Sequence, residues 1–135
     1  MPLKLVHPDW LPRRTRAFVC SLEDRGSDVA GVHLAGELRA VTANELARTL
    51  RRAERRARLI VVDLRQLTFI DPCGVHVIVA ASVRARRAGR RLVVVRKPGP
   101  IDPSALSTAP DVVDLQPGQP AGQALLELAE RDRAA

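Results

Sequence analysis

The chain has 135 residues, which is enough for one domain with a real hydrophobic core. Hydrophobic residues make up 46% of it and charged residues 27%, so the composition excludes a disordered chain. The formal net charge is +7, yet only one Trp and two Phe are present, which argues against nucleic-acid binding by base stacking.

The cysteines and the N-terminal residues bear on the compartment. Cys20 and Cys73 show neither the spacing of a metal site nor the framework of a disulfide-rich secreted protein. Residues 1–16 carry three prolines and lack the apolar core of a signal peptide, so we interpret them as a leader or edge segment before a domain at 17–133. No apolar run approaches the ~20 residues of a membrane span. We therefore predict a reduced, cytoplasmic protein with no membrane span, no metal and no cofactor.

The first elements are a strand pair and an amphipathic helix. Residues 17–36 are predicted to form two strands around a turn at 24–28, because apolar residues partly alternate there. In the helix predicted over 41–58, Thr42 and Glu45 fit a capping box at the start. Its apolar side chains share one face and its arginines lie largely off that face; the apolar set is Leu46, Leu50, Ala53 and Ala57.

A strand–helix–strand unit follows. The apolar runs at 59–64 and 91–95 are typical of strands buried on both faces, and a helix over 72–88 connects them. Gly89 suits the left-handed position that ends a helix. Strands connected in this way run parallel with a right-handed crossover.

The last third of the chain is richer in proline. Residues 98–120 hold six of the ten prolines, with a helical turn predicted at Asp102 and a short strand over 112–115. A final amphipathic helix carries Ala124, Leu125, Leu128 and Ala129. The predicted fold class is α/β: one domain with a mixed sheet of about four to five strands and helices packed against it.

Two segments resemble the STAS domain family, whose best-known members are bacterial anti-sigma-factor antagonists. They are "VHLAGELRAVTANEL" (32–46) and "LIVVDLRQLTFIDPCGVHVIVAASVRARRAGRRLVVV" (59–95). The resemblance implies a STAS-like fold and a protein-interaction module in transcription regulation, not an enzyme. Such a module binds an anti-sigma factor, a serine-kinase-like protein, which then releases its sigma factor.

The sequence departs from the family at the regulatory position. In switchable relatives the partner phosphorylates a serine directly after the aspartate, which adds about −1.5 to −2 charge to the contact surface. Here that position is Pro72, which has no hydroxyl, and the next position, usually Ser or Thr, is Cys73. Arg39 also stands where many relatives carry an acid. No phosphorylation site is therefore predicted, and Thr68 and Ser82 are the nearest hydroxyls.

The predicted partner surface lies after strand 59–64, because open α/β sheets bind ligands at the carboxyl ends of their strands. Asp71 reads as the N-cap of the following helix and Pro72 as its first residue. Cys73 is interpreted as a small, half-buried packing residue, with an activated thiolate as the alternative. The residues assigned to partner binding are Thr68, Asp71, Pro72, Cys73, Gly74 and His76.

Several alternatives stay open. The basic stretches 48–58 and 84–97 fit a solvated helix face, an acidic protein partner or, least well, nucleic acid, which we do not expect to bind. The whole domain could instead be an adaptor or regulatory subunit of a larger sensory or transport assembly, or a redox-active protein that uses Cys73. The protein could also form a homodimer. His33 is expected to point outward from a strand or to have a polar partner.

Overall fold

One mixed five-stranded sheet organises the described part of the chain. The structure, a computed structural model, describes residues 18–26, 28–97, 111–116 and 118–134. The elements in chain order are β1 (Val19–Asp24), β2 (Val29–Leu38), α1 (Ala40–Arg56), β3 (Leu59–Ile70), α2 (Pro72–Arg87), β4 (Arg91–Arg96), β5 (Asp111–Asp114) and α3 (Gln123–Ala134). The sequence order of the strands is also their order in the sheet. The interpreted leader at 1–16 and the helical turn at Asp102 lie outside the described residues.

The pairing follows from the connections. β1 and β2 are antiparallel, joined by a tight turn in which Gly26 and Asp28 have φ values of +72° and +66°. The pairs β2–β3, β3–β4 and β4–β5 are parallel, as their helical or longer connections require. The predicted strand pair, the strand–helix–strand unit and the short strand near residue 112 are therefore confirmed. Gly89 has a φ of +73°, which confirms the left-handed end of α2.

The sheet separates two apolar clusters. On one face, α1 and α2 bury Leu46, Leu50 and Ile78 against side chains of β2, β3 and β4. On the other face, α3 buries Ala124 and Leu128 against a second set of sheet residues. The apolar face predicted for α1 is confirmed: Leu46, Leu50, Ala53 and Ala57 are all buried, and the arginines Arg48, Arg51, Arg52, Arg55 and Arg56 are exposed.

The start of α1 differs from the predicted one. The helix begins at Ala40, so Thr42 is its third residue and not its N-cap. The Thr42 hydroxyl accepts a hydrogen bond from the backbone N–H of Arg39, 3.0 Å away. The capping box predicted for Thr42 and Glu45 is therefore wrong. The capping-box pattern at Thr42 and Glu45 would start the helix about one turn too late. The observed start at Ala40 depends on a contact with a residue outside this segment.

Strand β3 is longer than predicted. It does not end at residue 64 but continues to Ile70, with register shifts against β2 between His33 and Ala35 and between Gly36 and Glu37. The polar residues that follow Leu64 in the sequence are the reason that the strand is expected to end there. One of them, Arg65, is instead buried in the sheet, because an acidic side chain of the same strand neutralises its charge.

Candidate functional site

Asp71 lies where the first turns of two helices meet. Its Oδ1 accepts a hydrogen bond from the backbone N–H of Gly74 at 3.0 Å, and its Oδ2 accepts one from the N–H of Ala40 at 2.8 Å. One carboxylate therefore caps α2 and α1 together, although Asp71 and Ala40 are 31 residues apart. The predicted cap and Pro72 at the start of α2 are confirmed. The second cap has no local sequence signal.

Gly74 brings the start of α2 close to the end of β2. A Cβ atom at this position would lie 2.7 Å from two carbons of the Leu38 side chain and 3.1 Å from Cγ1 of Ile70. Both of these side chains belong to the larger core cluster or pack against it. Gly74 is itself buried, so it sets the position of the helix and is not available for contact with a partner.

Four of the residues assigned to partner binding are exposed. Thr68, Pro72, Cys73 and His76 all reach the surface, and the Thr68 hydroxyl donates a hydrogen bond to the carbonyl oxygen of Gly36 at 3.2 Å. The interpretation of Cys73 as a half-buried packing residue is wrong, because the next residue and not Cys73 faces the core. Ser82 is only 3% exposed, so its hydroxyl is not accessible to a partner.

Further exposed side chains extend this surface. The Phe69 side chain is 39% exposed, and the Arg39 guanidinium carbon lies 4.4 Å from its ring centroid. Arg39 also donates from Nε to Oε1 of Glu37 at 2.9 Å, which fixes the guanidinium over the ring. Val41, in the first turn of α1, is 86% exposed. Arg39, Val41 and Phe69 are not among the partner-binding residues predicted from the sequence. The signal that could have found Val41 is a large apolar residue on the open side of a helix start.

We call these exposed side chains the helix-start surface. It consists of Arg39, Val41, Thr68, Phe69, Pro72, Cys73 and His76. The double cap by Asp71 holds the two parts of this surface together, because the first turns of α1 and α2 are tied to the same carboxylate. The surface combines exposed apolar side chains with the Arg39 guanidinium, a combination that is typical of protein interfaces.

A buried ion pair lies elsewhere, on the sheet face that α3 covers. Arg65 binds both carboxylate oxygens of Asp63, at 3.1 and 3.0 Å, and donates from Nη1 to the carbonyl oxygens of Gln116 and Gln119. Burial opposes ionisation of Asp63, but the hydrogen bonds from Arg65 outweigh it and lower the pKa of the carboxyl. The pair therefore holds the loop before α3 against the sheet, which is a structural role.

His33 has polar partners on the same sheet face, as expected. Its Nε2 lies 2.9 Å from Oε1 of Glu23, and this hydrogen bond lowers the pKa of Glu23. In the described part of the chain, no group of three or more His, Cys, Asp or Glu side chains is placed to hold a metal ion. No helix among the described residues is long and apolar enough to cross a membrane.

The comparisons with known proteins agree with this fold. The sequence model of the family described as "Mlab, STAS domain" matches residues 21–109. The chain belongs to the STAS domain family. A search among curated proteins finds no match to the sequence. The family resemblance and the fold class inferred from the sequence are both confirmed.

Solved STAS structures of anti-sigma-factor antagonists share the fold. SpoIIAA in its unphosphorylated form aligns with a TM-score of 0.64 at 18% identity, covering 87% of this chain and 100% of its own. Bacillus SpoIIAA in its phosphorylated form gives 0.60 at 16% identity, covering 82% and 99%. An anti-sigma-factor antagonist from Mycobacterium paratuberculosis gives 0.54 at 18% identity, covering 87% and 82%. At these identities the likeness concerns the fold.

Proposed function

We propose that this STAS domain is an anti-sigma-factor antagonist that binds a kinase-like anti-sigma factor through its helix-start surface. The observation that carries the proposal is the exposed Phe69 with Arg39 stacked on it, together with the exposed Val41 in the first turn of α1. Aromatic and arginine side chains are the residues that most often dominate protein interfaces. In this proposal the protein works in the cytoplasm by binding and carries no catalytic residues.

The proposed binding has no serine switch. SpoIIAA exists in phosphorylated and unphosphorylated forms, whereas Pro72 has no side-chain hydroxyl that could be phosphorylated. Of the nearest hydroxyls, Ser82 is buried and Thr68 is bonded to a backbone carbonyl in the preceding strand. We therefore propose that the complex forms without control by phosphorylation at the start of α2.

The second candidate is an adaptor subunit of a larger sensory or transport assembly. The missing hydroxyl after Asp71 favours it, because a permanent subunit contact needs no site that a partner can modify. This candidate uses the same surface. The identity of the protein bound there separates the two.

Affinity capture from cell extract with three baits tests the proposal. The wild type should retain an anti-sigma factor, and the double variant Val41→Ser/Phe69→Ala should lose it, because both large apolar contacts are removed from the surface. Leu126→Ala is the matched control, since Leu126 is 58% exposed on α3 and away from this surface. Retention of transporter or sensor subunits would favour the adaptor. Equal retention by all three baits would overturn the assignment of the surface.

Incubation with ATP and the captured anti-sigma factor tests the missing switch. Peptide mass spectrometry should find no phosphate on residues 71–76 of the wild type. The matched variant Pro72→Ser restores a hydroxyl directly after Asp71 and shows whether the partner is an active kinase. A phosphate mapped to residues 71–76 of the wild type would contradict the proposal.

A further inference from the structure

The positive charge of the protein is concentrated on one helical layer. Helices α1 and α2 together hold eight arginines and two glutamates, a balance of +6 against +7 for the whole chain. One glutamate, Glu54, is already paired with Arg84, whose Nη2 lies 2.6 Å from its Oε2. The excess therefore rests mainly on the C-terminal part of α1, away from the helix-start surface.

Four of these arginines line one groove. Arg48, Arg51, Arg52 and Arg55 border a depression of about 460 Å³ between α1 and the edge strand β1, and Cys20, Glu45 and Thr49 complete its lining. We call it the arginine groove. Among the described residues none of the four has a carboxylate within ion-pair distance, whereas Arg39, Arg65, Arg84 and Arg96 each have one.

The spacing of the four arginines works against the isolated helix. Arg48, Arg52 and Arg55 follow one another at intervals of four and three residues, and Arg51 and Arg55 are four apart. Like charges at these intervals are neighbours on a helix surface and destabilise it. Glu45 is the one acidic side chain among the described residues that line the groove, and it forms no ion pair with any of the four arginines. A local arrangement that costs stability without a compensating contact is expected where a partner supplies the contact.

The chemistry of the groove selects the class of ligand. Arginine forms planar, two-pronged hydrogen bonds with carboxylates and phosphates. The groove has no aromatic side chain among its lining residues on which a nucleic-acid base could stack. A membrane-binding helix inserts exposed apolar side chains, but α1 buries Leu46, Leu50 and Ala53 in the core. An acidic protein segment fits best.

We propose that the arginine groove is a second docking site, which binds an acidic segment of a partner protein. Successive carboxylates of that segment lie about one helical turn apart, roughly 5–6 Å, and face Arg48, Arg52 and Arg55. Arg51 takes a further carboxylate at the outer side. The proposal does not rest on the function proposed for the helix-start surface, because the two sites share no residue.

A peptide titration tests the groove directly. The probe is a fluorescent helical peptide with one glutamate in every turn of one face, and the same peptide with glutamine is its control. The wild type should bind the glutamate peptide, and Arg48→Gln/Arg52→Gln/Arg55→Gln should weaken binding about tenfold or more, since each exposed pair contributes a factor of a few. The matched variant Arg56→Gln/Arg58→Gln/Arg87→Gln removes the same charge outside the groove and should lose much less affinity.

Duplex DNA and anionic phospholipid vesicles are titrated alongside the peptide. Binding of the glutamate peptide that is lost in the groove variant and falls as salt rises supports the proposal. Equal losses in the two triple variants would show general charge attraction and overturn the groove. Tighter binding of DNA or vesicles than of the peptide would also overturn it. The helix-start variant Val41→Ser/Phe69→Ala should bind the peptide normally, so failure of either proposal leaves the other standing.

Discussion

Replacing Asp71 with alanine should destabilise the protein more than the loss of an ordinary helix cap does. The carboxylate accepts hydrogen bonds from the N–H groups of Gly74 and Ala40, at 3.0 and 2.8 Å. Loss of the α2 cap costs ~1 kcal/mol. Loss of the charged acceptor at the start of α1 adds ~1–2 kcal/mol. The free energy of unfolding should therefore fall by ~2–3 kcal/mol, which lowers Tm by about 8–12 °C in a chain of this length.

Urea unfolding followed by far-UV circular dichroism measures this loss. The midpoint should fall while the slope with urea stays unchanged, because the folded state keeps its compactness. Asp71→Asn keeps one acceptor oxygen and should lose about half as much. Glu130→Ala removes an exposed acid from α3 and serves as the control, with a change within ~0.5 kcal/mol. A loss below ~0.5 kcal/mol for Asp71→Ala would refute the double cap.

Further variants probe the core, the buried ion pair and the thiol. Gly74→Ala should cost ~1–3 kcal/mol by crowding the core. Gly118→Ala is its control and should change stability little, because nothing lies within 4 Å of the new Cβ. Equal losses of stability in urea unfolding would contradict the packing described for Gly74. Arg65→Met should cost ~3–5 kcal/mol, because the buried Asp63 carboxylate loses both of its hydrogen bonds from the guanidinium. The folded-state pKa of Asp63 is lowered, so its contribution to stability is complete above its unfolded pKa of ~3.9 and is lost as the pH falls through the folded-state pKa. Asp63→Asn should therefore make Tm depend less on pH in that acid range. A pH dependence of Tm equal to that of the wild type would refute this. Cys73→Ser should leave Tm and partner affinity unchanged, and abolished binding with an intact fold would point to thiol chemistry.

Local patterns were enough for much of the fold. The start of α2 was readable because Asp71 and Pro72 act on the residues beside them, and the apolar face of α1 was readable from its periodicity. The start of α1 was not. Its N-cap position is Arg39, which is a poor capping residue, and the first free N–H of the helix bonds to Asp71 instead. A hydrogen bond between residues 31 positions apart cannot be predicted from the local sequence.

The end of β3 and the contact residues depended on tertiary structure in the same way. A charged residue such as Arg65 is not expected inside a buried strand. It is buried here because Asp63 and a carbonyl oxygen before α3 accept hydrogen bonds from its guanidinium. The sequence predicts that β3 ends at residue 64, and with that end the exposure of Phe69 beside Arg39 could not be foreseen. The exposure of Cys73 depends on the orientation of α2 about its own axis, which the local sequence does not fix to within a residue. The neighbour Gly74 takes the inward position.

Hydrogen exchange on the complex with the captured anti-sigma factor tests the central claim most directly. Amides of residues 39–42 and 68–76 should become protected when the partner binds, because these segments form the helix-start surface. Exchange in α3 should stay unchanged, since that helix lies on the opposite face of the sheet. Protection confined to α3 or β5, with none at the starts of α1 and α2, would contradict the account.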